Sequence, residues 1–344
     1  MAKGLGIVLV SFGHLRNGDG QSVWLPVLDG PIDAVYLFHM PLFFFLGGLV
    51  FSARRPFPQF LARKARTLLV PYYVFSLYFL AKPLALLLAP GLARVFKTGH
   101  DYSMGRDFYD VLVNGNGLWF LWAYFVGELV TYGIVKLVRS RSYDAGIGLL
   151  LIACYLAVVH VLPGLQLPFR MLQGVEVAGF MLLGLAARNL LLPLRRGTST
   201  ALLFAGAVAV YVACVLAAVP KQPGIGSPSE WFAVLGMFAG VAGCVFLSML
   251  IGRSRVLEYV GRHSIVFYAL NALMLNAAKL AVFRVLHVNG AALPAAGQWV
   301  VGVIVTVLAM LFMAVADLFV QRWMWWSIGA ARPAGKRVRG AHVR

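Results

Sequence analysis

The chain has 344 residues, of which 61% are hydrophobic and 12% charged, with a formal net charge of +18. A chain this apolar is excluded from the water-soluble globular class and reads as an integral membrane protein. The excess of cations argues little for nucleic-acid binding, because the lysines and arginines are dispersed through short loops and not gathered on one domain face.

Apolar runs fall near residues 4–15, 35–52, 67–89, 117–138, 146–162, 174–193, 200–219, 231–251, 264–283 and 298–319. None shows the strict alternation of a membrane barrel strand. The expected fold is therefore all-α, a polytopic bundle of about ten transmembrane helices. The start, Met1-Ala2-Lys3, precedes a short apolar run without a small-residue cleavage site, so no signal peptide is expected. Cys154, Cys214 and Cys244 are scattered through apolar runs, which indicates neither a disulfide framework nor a metal cluster. Most of the 30 lysines and arginines fall in alternate loops, from Lys3 through Arg54–Arg66, Lys136–Arg141, Arg188–Arg196 and Arg253–Arg262 to the end. Short loops rich in these residues stay in the cytoplasm, which orients both termini inward and implies a multi-pass protein of the inner (plasma) membrane. One transmembrane domain is expected over residues 1–321. Residues 322–344 then form a basic cytoplasmic tail with the composition of a disordered tether to anionic lipid.

The first run, "GIVLVSFGHLRNGDG", stops at a histidine, an arginine and an aspartate after barely half the length of a span. Eleven residues at 1.5 Å each place His14 about 16 Å from Lys3, just past the middle of the hydrocarbon core. His14, Arg16 and Asp19 are then in the outer half of the bundle. Ionisable groups there are costly unless they face a protein-lined cavity, so they mark a candidate site. The second run returns inward through "YLFHMPLFFFLGGLVF", bringing His39 to a similar depth. Taken alone, His39 reads as a structural hydrogen-bonding residue beside Pro41. An imidazole near neutral pH is a candidate general base, and His14 is the stronger of the two.

Farther on, "FLARKARTLLVPYY" carries Arg63 and Arg66 three residues apart, one helical face and a fork suited to phosphate oxygens. On charge alone this pair reads as ordinary inner-face decoration. Glu128 and Glu176 lie in apolar runs and are candidates to line the cavity or to pair with arginines. The outer loop with Asp107, Asp110, Asn114 and Asn116 has hydrogen-bonding groups of the kind a sugar needs.

In their order along the chain, Gly13-His14, Phe38-His39-Met40-Pro41, Arg63-x-x-Arg66, Leu69-Val70-Pro71-Tyr72, Leu118-Trp119-Phe120-Leu121 and the late "YVGRHSIVFYALN" resemble the membrane acyltransferase-3 family. Within it, the chain is similar to the fucose 4-O-acetylase-like sugar acetyltransferases. The resemblance implies an acyltransferase that takes an acetyl group from cytoplasmic acetyl-CoA, with no bound cofactor or metal. The acceptor it implies is a hydroxyl on a cell-surface or exported polysaccharide, with polysaccharide biosynthesis or export machinery as partner. It assigns transfer to His14 and donor binding to Arg63 and Arg66, and it leaves His39, Arg16, Asp19, Trp119, Glu128 and Glu176 as cavity or acceptor candidates. Asn271 stands where relatives often have histidine, so that role is not carried over. A transporter of a lipid-linked sugar or acyl carrier fits the same composition, although the halves of the chain share no repeated motif.

Overall fold

The computed structural model describes residues 1–16, 25–89, 103–138, 140–191, 193–218 and 228–330; Asp19 and residues 331–344 lie outside them. The described residues are helices and connections without strands. Eight of these helices are long and apolar enough to cross a bilayer. The first and third apolar runs account for the difference from ten, each for a local reason.

The first run forms α1 (Ala2–Gly13), a 12-residue helix. It rises about 18 Å, little more than half of a hydrocarbon core. The third run is broken into pieces: α3 (Phe57–Lys64), a π-turn (Ala65–Leu69), α4 (Val70–Ser76) and α5 (Ala81–Leu88). Pro71 sits in the first turn of α4, where its missing N–H costs nothing. Pro83 cannot continue a helix from residue 79 because its ring meets that carbonyl, so the chain turns at 77–80 before α5 begins.

Between these pieces, α2 (Asp29–Leu49) starts earlier than the apolar run implied, with Pro31 in its first turn, and follows a 3-10 turn at Pro26–Leu28. It is the central helix, packed against α1 and, later in the chain, α9 and α11. The chain continues through α6 (Met104–Tyr109), α7 (Trp119–Leu137), α8 (Asp144–Val161), α9 (Met171–Leu191), α10 (Thr198–Ala218) and α11 (Pro228–Ile251). It ends with α12 (Arg255–Arg262), α13 (Ser264–Lys279) and α14 (Ala295–Trp323). Gly48 of α2 and Gly184 of α9 bring the two backbones together: a Cβ on either would overlap a carbonyl of the opposite helix. Small residues permit this approach in membranes, where lipid gives no hydrophobic drive to association. Helix α10 stands at the periphery, with Leu202, Leu203, Val210, Val212 and Leu216 exposed.

The start of the chain, the Arg63–Arg66 segment, α12 and Ala330 meet at one end of the bundle. Met1 Sδ receives the Ser254 N–H at 3.3 Å, and Arg66 Nη2 donates to the Ala330 carbonyl at 2.8 Å. The fully buried Asp317 of α14 pairs with His263 and accepts from Tyr259 at 2.5 Å and from Gln321 at 3.1 Å, fastening α12 and α13 to α14. Residues 322–330, expected at the start of the tail, comprise the end of α14 and a 3-10 turn, Trp325–Ile328.

Candidate active site

Helix α1 ends inside the bundle, and the cavity begins there. A cavity of about 560 Å³ is lined by residues from α1, α2, α7, α9, α11 and α13, together with His14, Arg16, Phe79, Gly117 and Leu118 from the connections. Of the residues singled out in the sequence, His14, Arg16, His39, Trp119 and Glu176 all line it. Glu128, Arg63 and Arg66 do not.

His14 follows the last turn of α1. Its Nδ1 is 3.2 Å from the Tyr36 hydroxyl. Tyr36 in turn meets the His39 ring edge-on at 4.9 Å, so the two imidazoles flank one phenol. His39 Nδ1 lies 2.9 Å from the Val35 carbonyl, and since a carbonyl only accepts, this nitrogen carries a proton. The Nε2 of His39 is then the basic nitrogen in the neutral ring. For Nε2 of His14 to act as a base, its Nδ1 must donate to Tyr36, whose oxygen can accept. Two residues beyond His39, Pro41 has no N–H for the Leu37 carbonyl; both residues line the cavity, so the backbone polarity there is not all consumed by the helix.

Arg16 is fixed by acidic residues at the start of α2. Its Nε is 3.0 Å from Asp29 Oδ1 and its Nη1 is 2.8 Å from Asp33 Oδ1. Glu176 is hydrogen-bonded to Tyr155.

Helix α13 lines the cavity along one face. Tyr268, Asn271, Leu275, Asn276 and Lys279 recur at helical spacing along its cavity face. Lys279, buried to 5% exposure, donates from Nζ to the His14 carbonyl at 2.9 Å. An ammonium at the carboxyl end of a helix offsets the partial negative charge of its last carbonyls. Asn271 is anchored by its Nδ2, which donates to Ser11 Oγ at 2.6 Å, while its Oδ1 has no hydrogen-bond partner.

Below this cavity is a second space of about 40 Å³, lined by Ile7, Met40, Phe43, Phe120, Leu121, Ser264, Ile265 and Tyr268. It shares Met40 and Tyr268 with the larger one. Since Ile7 and Ser264 stand nearer the basic end, the small cavity lies between that end and His14.

Glu128 lies nine residues after Trp119 on α7, which at 100° per residue is the opposite face. It pairs with Lys64 at 2.5 Å, and Lys3 is close enough to feel both charges. Arg63 lies in the last turn of α3, and Arg66 lies within the π-turn that follows, so the two are not on one continuous α-helix. In the outer loop, Asn114 donates to Asp110 at 2.7 Å and Asn116 accepts from Arg170. These groups satisfy each other, and the loop reaches the cavity through Gly117 and Leu118.

An all-α bundle of helices long and apolar enough to cross a bilayer, enclosing a cavity that His14 and His39 line, defines a multi-pass integral membrane protein. Residues 1–316 match the family model described as an acyltransferase domain, and the chain belongs to this acyltransferase-3 family. It is accordingly a membrane acyltransferase. No curated protein and no solved structure matches it.

Proposed function

We propose that the protein moves an acetyl group from cytoplasmic acetyl-CoA to a sugar hydroxyl of a cell-surface or exported glycan, as in the fucose 4-O-acetylase-like branch. The observation that carries this reading is His14 on the wall of a roughly 560 Å³ cavity that also presents His39, Trp119, Glu176 and Asn271. The groups are those a sugar needs, an aromatic face and several hydrogen-bonding side chains beside a base. Arg63 and Arg66 hold the nucleotide phosphates at the basic end. The donor's flexible arm passes along the small cavity and brings its thioester to His14.

His14 Nε2 takes the proton of the acceptor hydroxyl as its oxygen attacks the thioester carbonyl carbon. The new C–O bond forms, the C–S bond breaks as the intermediate collapses, and the imidazolium returns its proton to the sulfur. The products are the acetyl ester and free CoA.

The test uses purified protein in nanodiscs with radiolabelled acetyl-CoA and a surface glycan fraction. Label is expected in the glycan with the parent, and His14→Ala is expected to lower the rate by about 10²–10⁴. Equal labelling by the two proteins would remove His14 from the chemistry. Absence of transfer from any of several acyl-CoA donors to any of several glycans would sink this substrate assignment.

A further inference from the structure

The family match stops at residue 316, but the described chain continues to Ala330. After α14, Trp325–Ile328 make a 3-10 turn that Gly329 closes in the left-handed conformation, with φ of 66°. The Gly329 N–H returns to the Trp326 carbonyl at 3.0 Å and the Ala330 N–H to the Trp325 carbonyl at 3.2 Å. This pair of bonds is the Schellman ending, which satisfies the last carbonyls of a helical turn. Ser327 is fully buried and donates to the Met324 carbonyl at 2.7 Å. The turn packs against α4 and against the π-turn that carries Arg66.

Two contacts then join this turn to one of the proposed donor arginines. The Ala330 carbonyl accepts from Arg66 Nη2 at 2.8 Å. Gly329 is seated against the Arg66 backbone carbonyl so closely that a Cβ would overlap it. Arg66 is therefore held through both its main chain and its guanidinium.

We infer that the C-terminal turn Trp325–Ala330 is part of the donor site, and that it pre-positions the Arg66 guanidinium for the phosphates of acyl-CoA. This rests on the proposed function. A guanidinium has five N–H donors, so one bond to Ala330 leaves four for a ligand. A long exposed side chain loses rotamer freedom when it binds; a carbonyl that already holds it removes part of that loss and tightens binding without a new ligand contact. Phosphate is the ligand chemistry that fits, because the planar fork matches its oxygens and Arg63 and Lys3 add charge at the same end of the bundle.

The experiment measures acetyl-CoA binding and steady-state transfer by the full chain in nanodiscs. Gly329→Val puts a branched side chain where a Cβ already overlaps the Arg66 carbonyl, Gly329→Ala is a milder version, and a third protein ends after Trp323. The expected result is a Kd for acetyl-CoA raised about tenfold, with kcat at saturating donor and KM for acceptor held. Because the turn acts through Arg66, Arg66→Ala combined with Gly329→Val should bind no more weakly than Arg66→Ala alone. Parent-like donor binding in all three turn variants would overturn the inference. So would multiplied losses in the double variant, or a fall in kcat with donor binding intact, which would mark the turn as support for the fold only. A parent that binds no acyl-CoA would overturn the donor reading itself, and this inference with it.

Discussion

Lys279, the last residue of α13, reaches the end of α1. At the end of an apolar run it reads as one of the few outer-side cations. In the fold it is 5% exposed and holds the carbonyl of His14. Removing it frees the end of α1, and the imidazole with it, while the basic end is untouched. Lys279→Met should therefore lower kcat by up to about a hundredfold, the usual cost of a misplaced catalytic group, and leave acetyl-CoA affinity unchanged; Lys279→Arg should recover part of the rate. Steady-state kinetics with both substrates varied would separate these effects, and a raised donor KM with normal kcat would place Lys279 elsewhere in the mechanism. His14, Arg16, His39, Trp119 and Glu176 could be singled out in the sequence because ionisable or indole side chains stand out against apolar runs. Tyr268 and Asn271 fall within the late motif but take no site role from it, and Tyr36 does not stand out, since uncharged polar residues are common in spans and only their shared cavity distinguishes them.

Helices add constraints that single residues lack. The nine-residue spacing from Trp119 to Glu128 already places them on opposite faces of α7 and about 13 Å apart along it. The sequence contained that information, but the partner of Glu128, Lys64 on α3, required the packing. This pair is a buried carboxylate with a partly covered ammonium, at 5% and 26% side-chain exposure. Breaking it from one side leaves a charge stranded, whereas replacing both members does not. Lys64→Met should cost roughly 3 kcal/mol, and Lys64→Met combined with Glu128→Leu should regain most of it, as read from thermal unfolding in detergent. Strictly additive losses would show that the two side chains are not coupled. The breaks in the third run were half legible: Pro71 and Pro83 were visible, but the π-turn Ala65–Leu69 that carries Arg66 leaves no mark in hydrophobic periodicity.

At the scale of the whole molecule, the all-helical membrane class followed from composition, and the bundle gathers the start of the chain, α12 and Ala330 at the end richest in Lys and Arg. The basic end and His14 are separated by the length of α1, about 16 Å from Lys3 to His14. What the sequence could not give is how that distance is filled. The structure fills it with Met40, Phe43, Phe120 and Tyr268, packed around a space of only about 40 Å³. Phe120 stands 5.8 Å from Phe43 and 5.1 Å from Tyr268, ring centre to ring centre.

The proposed transfer would carry part of the donor into the bilayer, and that brings a demand a soluble enzyme never meets, which is electrical insulation. Any water-filled thread joining the two compartments would conduct protons and run down the membrane potential between turnovers. On the proposed function, the ring of aromatic and thioether side chains is expected to act as a seal against that loss, since an apolar constriction this narrow excludes a continuous column of water. Phe120→Ala, or Met40→Ala with Phe43→Ala, should make vesicles containing the protein permeable to protons, read as faster collapse of an imposed pH gradient, while the parent stays tight. Vesicles that remain equally tight would locate the insulating barrier elsewhere in the bundle.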